Sequence, residues 1–542
     1  MQNKRNLIWL EVAAAVCLFF TSMILGNMSN LEEVPSEEDI KTPLTAQQAI
    51  DTAKTFISEQ FGQNPAQWEG SSVLQAHTNL SAYLNKYKLA SDYQDQYGEK
   101  YPISYYEVEW KDPARANQAT YILVHYTEES ILGWNQVGYP EDTPAMSDTE
   151  RLDRAASALQ TQGYDPQDFQ STALEDGLIR FTSMAQSLED ARLTIEVELL
   201  GGNVSAFHAY FAPPQSFTDW FQNEMSQRDQ LSIISLLLSL FMTIAAIVTV
   251  ILYRKTASFS RGILLSIAVL ALLLFESFNS LPMLEALYPE QPDRDAEALF
   301  LAVVNGVIYA ILAISLYLSL VAGDSMFRTL GKSYWPRWRD AGYRGHVLSA
   351  MGRGYLYAMI ILGVQQIIFF IAEKQFHIWT FDDPQFYSEN YYYPLLFPLG
   401  AWVAAIMEEG TYRLFGISLF QKLFRFRWIA IIFTNFIWAL GHISYPFFPP
   451  YTRLVEVFII GFVFTFIFLR YGFICAVFAH AALDCFLMGL SLTFIGGDAN
   501  GWMAFFYILS PALIAFLIVL LHRIIKGRQE DATTDWTRPA RL

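Results

Sequence analysis

Long apolar stretches alternate with short charged connections through most of this 542-residue chain. A helix that crosses a lipid bilayer needs roughly 20 mostly apolar residues, and about ten stretches reach this length. They are centred near residues 17, 242, 270, 310, 361, 407, 437, 461, 483 and 512. The pattern predicts an all-α polytopic membrane helical bundle of about ten transmembrane helices, with an inserted α+β domain after the first helix.

The inserted domain is predicted from a change of hydropathy pattern between residues 27 and 228. Strict apolar and polar alternation predicts half-buried strands, and a glycine-rich turn at 201–203 joins two of them in a hairpin. The predicted strands are Tyr106–Trp110, Leu193–Leu199 and Val204–Phe211, and the predicted preceding helices are Thr45–Phe61 and Glu150–Leu159. The repeated order of one helix and two strands predicts a duplicated unit. This order resembles the PepSY class of extracytoplasmic modules in pattern.

The negative charge of the chain is confined to this insertion. Residues 27–228 contain 31 Asp or Glu and 12 Lys or Arg, a net charge of −19, whereas the whole chain carries −17. Such a domain repels the backbone of a nucleic acid, so we expect no nucleic-acid partner. The three cysteines, Cys17, Cys475 and Cys485, all lie in apolar stretches, and the insertion therefore has no internal disulfide.

Basic residues in the short connections predict the orientation of the chain in the membrane. Lys4 and Arg5 precede the first apolar stretch, and positive charge favours the cytoplasmic side. An even number of spans then places both termini in the cytoplasm and residues 27–228 outside it. The first stretch resembles a cleaved signal peptide in its basic start, but its length and the lack of an A-x-A site at Gly26-Asn27-Met28 favour an uncleaved anchor.

Two carboxylates and a guanidinium lie deep within the apolar stretch that begins near Leu395. Ionisable groups at this depth cost several kcal/mol, which makes Glu408, Glu409 and Arg413 functional candidates. Residues four apart on a helix share a face, so Glu409 and Arg413 are predicted to form an ion pair. Glu408 points elsewhere and is the carboxylate predicted to face a cavity, as a general base requires.

The next two candidate groups lie on later spans. Asn435, Trp438 and His442 follow one another at i, i+3 and i+7 and form a polar stripe on an otherwise apolar helix. Two spans later, His480 and Asp484 are four residues apart, so the carboxylate can orient the imidazole. A single buried histidine is more often structural, but three such helices in succession favour a common site.

The order Glu408-Glu409-x-x-x-Arg413, Trp438-x-x-x-His442 and His480-x-x-x-Asp484 resembles the CAAX protease and bacteriocin-processing family of membrane endopeptidases. The resemblance covers about residues 351–525. It implies an intramembrane glutamate-type endopeptidase without a cofactor, which cleaves a peptide or a membrane-associated protein.

The resemblance also implies individual roles. Glu408 and His442 correspond to the residues that activate a water molecule, and His480 and Asp484 correspond to those that stabilise the oxyanion. Glu409, Arg413, Asn435 and Trp438 are expected to support the site. Two residues depart from the family pattern, because Trp438 replaces the usual Phe and Asp484 stands where eukaryotic CAAX peptidases have Asn. An ionised Asp484 would repel an oxyanion, so it is expected to hold His480 or to be neutral.

These observations predict five segments along the chain. They are an N-terminal membrane anchor (1–26), an acidic extracytoplasmic α+β domain (27–228), accessory transmembrane helices (229–350), a peptidase domain (351–525) and a cytoplasmic tail (526–542).

Three other interpretations stay open at this point. Two histidines and two carboxylates could bind zinc, although no H-E-x-x-H spacing is present. The chain could be a catalytically silent scaffold whose extracytoplasmic domain binds a ligand or protein partner. A transporter could use intramembrane carboxylates such as Glu276 and Glu408 as ion sites, but no inverted repeat is evident.

Overall fold

A computed structural model describes residues 2–26, 43–62, 69–111, 118–139, 146–174, 177–200, 202–494 and 499–526. The helices are α1 (Gln2–Gly26), α2 (Ala46–Phe61), α3 (Thr78–Tyr87), α4 (Ala90–Tyr93), α5 (Asp148–Thr161), α6 (Gln215–Leu252), α7 (Ile263–Asn279), α8 (Leu281–Glu285), α9 (Arg294–Thr329), α10 (Tyr343–Phe376), α11 (Gly400–Glu408), α12 (Ile417–Phe424), α13 (Arg427–Leu440), α14 (Pro450–Tyr471), α15 (Phe473–Ser491) and α16 (Ala499–Lys526). The strands are β1 (Glu69–Ala76), β2 (Ser104–Lys111), β3 (Ala119–His125), β4 (Ile131–Val137), β5 (Phe169–Ala173), β6 (Leu178–Leu188), β7 (Ala191–Leu200), β8 (Asn203–Ala212), β9 (Trp379–Thr380) and β10 (Phe447–Phe448).

The chain is a multi-pass membrane protein that is mostly helical, with a sheet domain between α1 and α6. Each of the ten predicted span centres lies in a helix. Among the described residues, six helices are long and apolar enough to cross a bilayer, namely α6, α9, α10, α14, α15 and α16. Three shorter apolar helices cover Trp9–Leu25, Ile263–Asn279 and Arg427–Leu440. The count of about ten spans and the orientation of the termini therefore stay predictions.

The sheet domain is built from two units of four strands each, with α2, α3 and α4 in the first unit and α5 in the second. Its eight antiparallel strands run in the order β1-β2-β3-β4-β8-β7-β6-β5, so the last strands of the two units pair in the middle. The prediction of a repeat with two strands per unit therefore undercounts the strands. The predicted hairpin is present as β7 and β8, and Thr45 caps α2 through a reciprocal hydrogen-bond pair with Gln48.

The two faces of this sheet differ in chemistry. Apolar side chains such as Val108, Ile122 and Ile195 bury one face against α2 and α5. Residues two apart on a strand share a face, so Glu107 and Glu109, which flank Val108, belong to the opposite, polar face. This polar face is turned toward the connections of the helical bundle, as the contacts below show.

A buried arginine at the start of α9 fastens the sheet domain to the bundle. Arg294, 0% exposed, inserts its guanidinium between two carboxylates of β2. It bonds Glu107, donates from Nε to Glu109 Oε2 at 3.1 Å, and donates from Nη2 to Ser71 Oγ at 3.0 Å. Tyr121 donates its hydroxyl to Glu109 Oε1 at 2.7 Å. The desolvation of these charges is thus offset by a nearly complete set of partners.

Further contacts connect the loops after α8 and α10 to the same domain. Glu290 lies 3.0 Å from His208 Nε2 and accepts a 2.7 Å hydrogen bond from Asn135. In the second loop, Asn390 pairs with the backbone of Leu74 through bonds of 2.7 and 2.9 Å. Both loops therefore lie on the sheet-domain side of the bundle.

Two predicted segment boundaries fall inside continuous helices. α6 extends from Gln215 to Leu252, across the predicted boundary at 228, and joins the sheet domain to the bundle without a linker. α10 likewise crosses the boundary at 350. The predicted anchor is the helix α1, and its buried Glu11 accepts a hydrogen bond from Tyr357 of α10 at 3.2 Å.

The interface around Arg294 should make the stability of the protein depend on pH. Burial raises the pKa of Glu107 to about 7, against the opposing effect of Arg294, and the carboxylates of Glu290 and Glu109 add to the increase. Burial alone would lower the pKa of His208, but Glu290 raises it above its ordinary value. At pH values between the unfolded-state and folded-state pKa of each of these two groups, the folded protein binds more protons than the unfolded protein. Its stability therefore falls as the pH rises.

We expect the melting temperature of the sheet domain to be higher at pH 6 than at pH 8. The free energy of unfolding should increase by at most about 1.4 kcal/mol per pH unit for each additional proton that the folded protein binds. Glu107→Gln should flatten this pH dependence, whereas the exposed Asp51→Asn should not. Thermal unfolding of the full-length protein at both pH values measures the effect, and an unchanged profile in Glu107→Gln would contradict the assignment.

Candidate active site

The helix that carries Glu408 changes its winding at this point. α11 ends at Glu408, and residues Glu409–Gly416 continue as a π-helix before α12 begins. Such wider turns are rare and frequently occur at functional sites. Glu409 is fully buried, whereas the side chain of Glu408 is 23% exposed. The two adjacent carboxylates thus have different surroundings, as their positions in the sequence predict.

Glu408 lies between the two histidines. Its Oε1 is 3.9 Å from His442 Nε2, and its Oε2 is 3.8 Å from His480 Nε2. Trp438 donates its indole N–H to the same carboxylate. At these distances the groups form no direct hydrogen bond, and a water molecule beside them can contact both.

Glu409 supports the site through two partners. Its Oε1 lies 3.2 Å from Arg413 Nη1 and 3.0 Å from His480 Nδ1. The contact with Arg413 was predicted, but the contact with His480 was not. The Arg413 guanidinium also packs on the Trp438 ring, with its carbon 3.9 Å from the ring centroid. One buried carboxylate therefore connects the first motif to the third.

His480 faces carboxylates on both sides of its ring. Nδ1 contacts Glu409, and Nε2 lies 3.4 Å from Asp484 Oδ2 on the next turn of α15. An imidazolium donates from both nitrogens, so this arrangement can hold the protonated form. The Phe464 ring packs on the imidazole with centroids 4.6 Å apart and restricts its rotation.

His442 lies beyond the end of its helix. α13 ends at Leu440, so the prediction of a continuous helical stripe through His442 is wrong by two residues. The turn nevertheless keeps His442 close to Trp438, because its Nδ1 is 3.0 Å from the Trp438 carbonyl oxygen. If Nδ1 carries the proton for this bond, the lone pair of Nε2 faces Glu408.

Asn435 has a different position from the other candidates. It is fully buried on α13, and its Oδ1 accepts a 3.2 Å hydrogen bond from Thr465 of α14. A Cβ on Gly461 would lie 2.9 Å from its side chain, so α13 and α14 pack closely here. The structure thus brings Glu408, Glu409, Arg413, Trp438, His442, His480 and Asp484 together, whereas Asn435 joins two helices beside them.

A second group of residues next to His442 was missed by the sequence analysis. Tyr445 packs its ring parallel to His442 at a centroid distance of 6.1 Å. Arg453 lies over Tyr445 at 4.9 Å and pairs with Glu456 at 2.5 Å. Glu456 also accepts a 2.9 Å hydrogen bond from Gln365. Arg453 and Glu456 are charges within an apolar span, so the rule that identified Glu408 could have found them.

The loop that carries His442 and Tyr445 lies on the sheet-domain side of the bundle. Its strand β10 pairs with β9 of the loop after α10. Phe448 of β10 packs on Phe221 of α6, with ring centroids 5.5 Å apart. The candidate site is therefore next to the end of the bundle that the sheet domain covers.

A zinc centre would need three or more suitable ligands in one place. Among the residues that the structure describes, no group of three or more His, Cys, Asp or Glu side chains has an arrangement that could hold a metal ion.

Comparison with known families identifies the segment that contains this site. The model of the Rce1-like family, described as type II CAAX prenyl endopeptidase Rce1-like, matches residues 390–486. The resemblance to CAAX proteases is therefore confirmed, and the match implies a membrane protease. The matched segment contains the seven clustered residues and Asn435.

Other comparisons add little. Among curated proteins, none matches this chain. Among solved structures, the chain is similar to the Bacillus megaterium YpeB C-terminal domain, with 16% identity over 31% of this chain and 64% of that chain and a TM-score of 0.20. The chain thus covers less than two thirds of that structure, and a likeness of this size carries no argument.

Proposed function

Because residues 390–486 match the family of type II CAAX prenyl endopeptidases, we propose that this chain is an intramembrane endopeptidase of the glutamate type. Its substrate is a peptide or a membrane-associated protein. The position of the Glu408 carboxylate between His442 and His480, at 3.9 and 3.8 Å, carries the proposal.

In this mechanism, Glu408 and His442 orient the attacking water. A water molecule between them donates one hydrogen to the Glu408 carboxylate and the other to His442 Nε2. Its lone pair is then free to attack the substrate carbonyl, while Glu408 takes up the proton as general base. Trp438 keeps the carboxylate in place through its indole N–H. Glu408 later returns the proton to the amine that leaves.

His480 acts on the oxyanion that forms in the same step. An imidazolium held between Glu409 and Asp484 supplies positive charge next to the developing negative charge. Asp484 lies against Nε2, the nitrogen that also faces Glu408, and keeps the imidazole protonated, which gives the aspartate a role that does not need direct contact with the oxyanion.

The direct test is a comparison of peptides from native membranes that carry the wild type or Glu408→Ala. We expect a set of peptides that is present with the wild type and missing with the variant, while the variant protein is inserted in equal amounts. Exhaustive chelation should leave this set unchanged. Identical peptide sets would remove the proposed activity.

His480 and Asp484 should respond differently to substitution. His480→Ala should lower the rate of peptide release by about 100- to 1,000-fold, as the loss of an oxyanion donor does. Asp484→Asn keeps an oxygen that can accept from His480, and we expect it to retain at least about a tenth of the rate. Quantitative mass spectrometry of the released peptides measures both. A loss in Asp484→Asn as large as in His480→Ala would show that the charge of Asp484 is needed.

A further inference from the structure

The polar face of the sheet is only partly covered by the helical bundle. Arg294 and Glu290 cover the first unit and the central strands, but a cavity of about 710 Å³ lies over β6, β7 and β8 of the second unit. Its walls are α3 and the start of α6. The cavity lies between the sheet domain and the helix that leads into the membrane.

The lining of this cavity can form hydrogen bonds with many partners. Thr182 and Thr194 are paired across two strands on its floor, next to Arg180, which forms an ion pair with Glu196 at 2.7 Å. Hydroxyl, amide and guanidinium groups of this kind bond peptide carbonyls and amides regardless of sequence.

His77 lines the same cavity between two aromatic rings. It stacks on Tyr210 with centroids 5.4 Å apart and packs on Tyr105 at 4.8 Å. Burial lowers the pKa of His77 to about 4, with a smaller contribution from His208. The imidazole is therefore neutral at pH 7 and can both donate and accept a hydrogen bond.

Two further cavities adjoin this one. It shares Thr78 and Asn79 with a cavity of about 480 Å³ along α6, and it shares Asp190 and Pro214 with one of about 460 Å³ beside Trp220. Together their volumes exceed the roughly 1,000 Å³ of a large small-molecule pocket. An elongated occupant fits this shape better than a compact one.

The cavity along α6 borders the loop that carries His442. This cavity reaches from Phe221 to Ile233, and Phe221 packs on Phe448 of that loop with ring centroids 5.5 Å apart. From Thr218 to Ile233, α6 rises about 22 Å, the length of roughly seven residues of extended chain.

The same geometry argues against a lipid headgroup in the large cavity. The lipid-exposed apolar side chains of α6 begin with Leu231. Thr218, which lines the large cavity, precedes this residue by thirteen positions and therefore lies about 20 Å beyond the apolar part of the helix.

We propose that these adjoining cavities, from the sheet floor at Thr182 along α6 to Ile233, bind an extended polypeptide segment of the substrate beside the loop that carries His442. That the bound polypeptide is the substrate rests on the proposed function. Binding of an extended chain can be measured independently of cleavage.

The first experiment measures binding in the full-length protein with Glu408→Gln, so that no cleavage occurs. The sheet domain has no cysteine, and Cys17→Ser removes the exposed thiol of α1. Asn79→Cys then places a thiol where two cavities meet, and the folded protein in nanodiscs is labelled there with a polyethylene-glycol maleimide. The probe is a fluorescein-labelled pool of random dodecapeptides, and its anisotropy reports the bound fraction.

We expect the label at position 79 to weaken binding of the peptide pool by about tenfold. The same label on Lys54→Cys, an exposed position of α2 on the other face of the sheet, should leave binding unchanged. Thr182→Trp, which fills the large cavity without a label, should weaken binding similarly. Equal binding before and after labelling at position 79, or an equal loss at position 54, would overturn the proposal.

The second experiment repeats the labelling with Glu408 intact and follows the Glu408-dependent peptides. Their release should fall about tenfold on labelling at position 79 and stay constant on labelling at position 54. If no Glu408-dependent peptides exist, the proposed peptidase function fails, and the binding experiment still decides whether the cavities hold a polypeptide. If such peptides are released at the same rate after labelling at position 79, the route along α6 is wrong and the peptidase function stands.

Discussion

Replacement of Glu408 by glutamine should lower the rate of peptide release by about 100- to 10,000-fold, the usual contribution of a general base. Glutamine has nearly the same size and can still accept the hydrogen bond from Trp438, so the surrounding helices should keep their packing. It cannot take a proton from water at neutral pH. The rate is measured in membranes from the Glu408-dependent peptides, with protein amounts matched by immunoblot. His442→Ala should give a loss of similar size.

The matched control is Glu276→Gln, which removes a carboxylate from another apolar helix, α7. Glu276 is outside the cluster of Glu408 and the two histidines, so its substitution should leave the rate within about twofold of the wild type. A transporter that uses both carboxylates would instead respond to both changes. A cellular phenotype unchanged by Glu408→Gln would favour a scaffold that acts through the sheet domain.

Replacement of Arg294 by alanine should destabilise the docking of the sheet domain by about 3 to 5 kcal/mol, because it leaves Glu107 buried without its cation and Glu109 with Lys111, 3.2 Å away. For a domain of this size, the melting temperature should fall by roughly 10 °C. Glu107 can take up a proton below its pKa of about 7, so the loss should be larger at pH 8 than at pH 6. Thermal unfolding and limited proteolysis of the full-length protein measure the effect.

The neighbouring residue provides the control for this substitution. Asp295 pairs with Lys111 at 2.9 Å, but its side chain is 65% exposed. Ion pairs at the surface contribute about 0 to 1 kcal/mol, so Asp295→Ala should have little effect. Replacement of Arg294, Glu107 and Glu109 together by methionine or leucine should recover most of the stability. If Arg294→Ala were as mild as Asp295→Ala, the buried cluster would not hold the two parts together.

Much of the helical part could be predicted because membrane insertion imposes strong local constraints on sequence. A span must be apolar over its whole length, so every predicted centre lies in a helix of the structure. For the same reason, each charge within a span stands out, and Glu408, Glu409, Arg413, His480 and Asp484 were found by this rule. Spacing along the helices then predicted which of them are in contact within one helix.

Other features of the site depend on contacts between helices that spacing does not contain. The hydrogen bond between Glu409 and His480 connects residues 71 positions apart. The packing of Arg453 on Tyr445 and of Tyr445 on His442 needs the turn after α13 to fold back over α14. The π-helix at Glu409–Gly416 has no simple sequence signal, since its winding depends on packing against neighbouring helices.

By itself, the sequence determined that the chain spans a membrane, carries an acidic α+β insertion, and has buried Glu, His and Asp residues in the order of a CAAX protease. These are properties of local composition and spacing. Only the tertiary structure decided that Glu408 lies between His442 and His480, that Arg294 anchors the sheet domain, and that adjoining cavities extend from this domain along α6 beside the loop that carries His442. Each of these results from side chains far apart in sequence, whose contacts are set by the packing of whole elements.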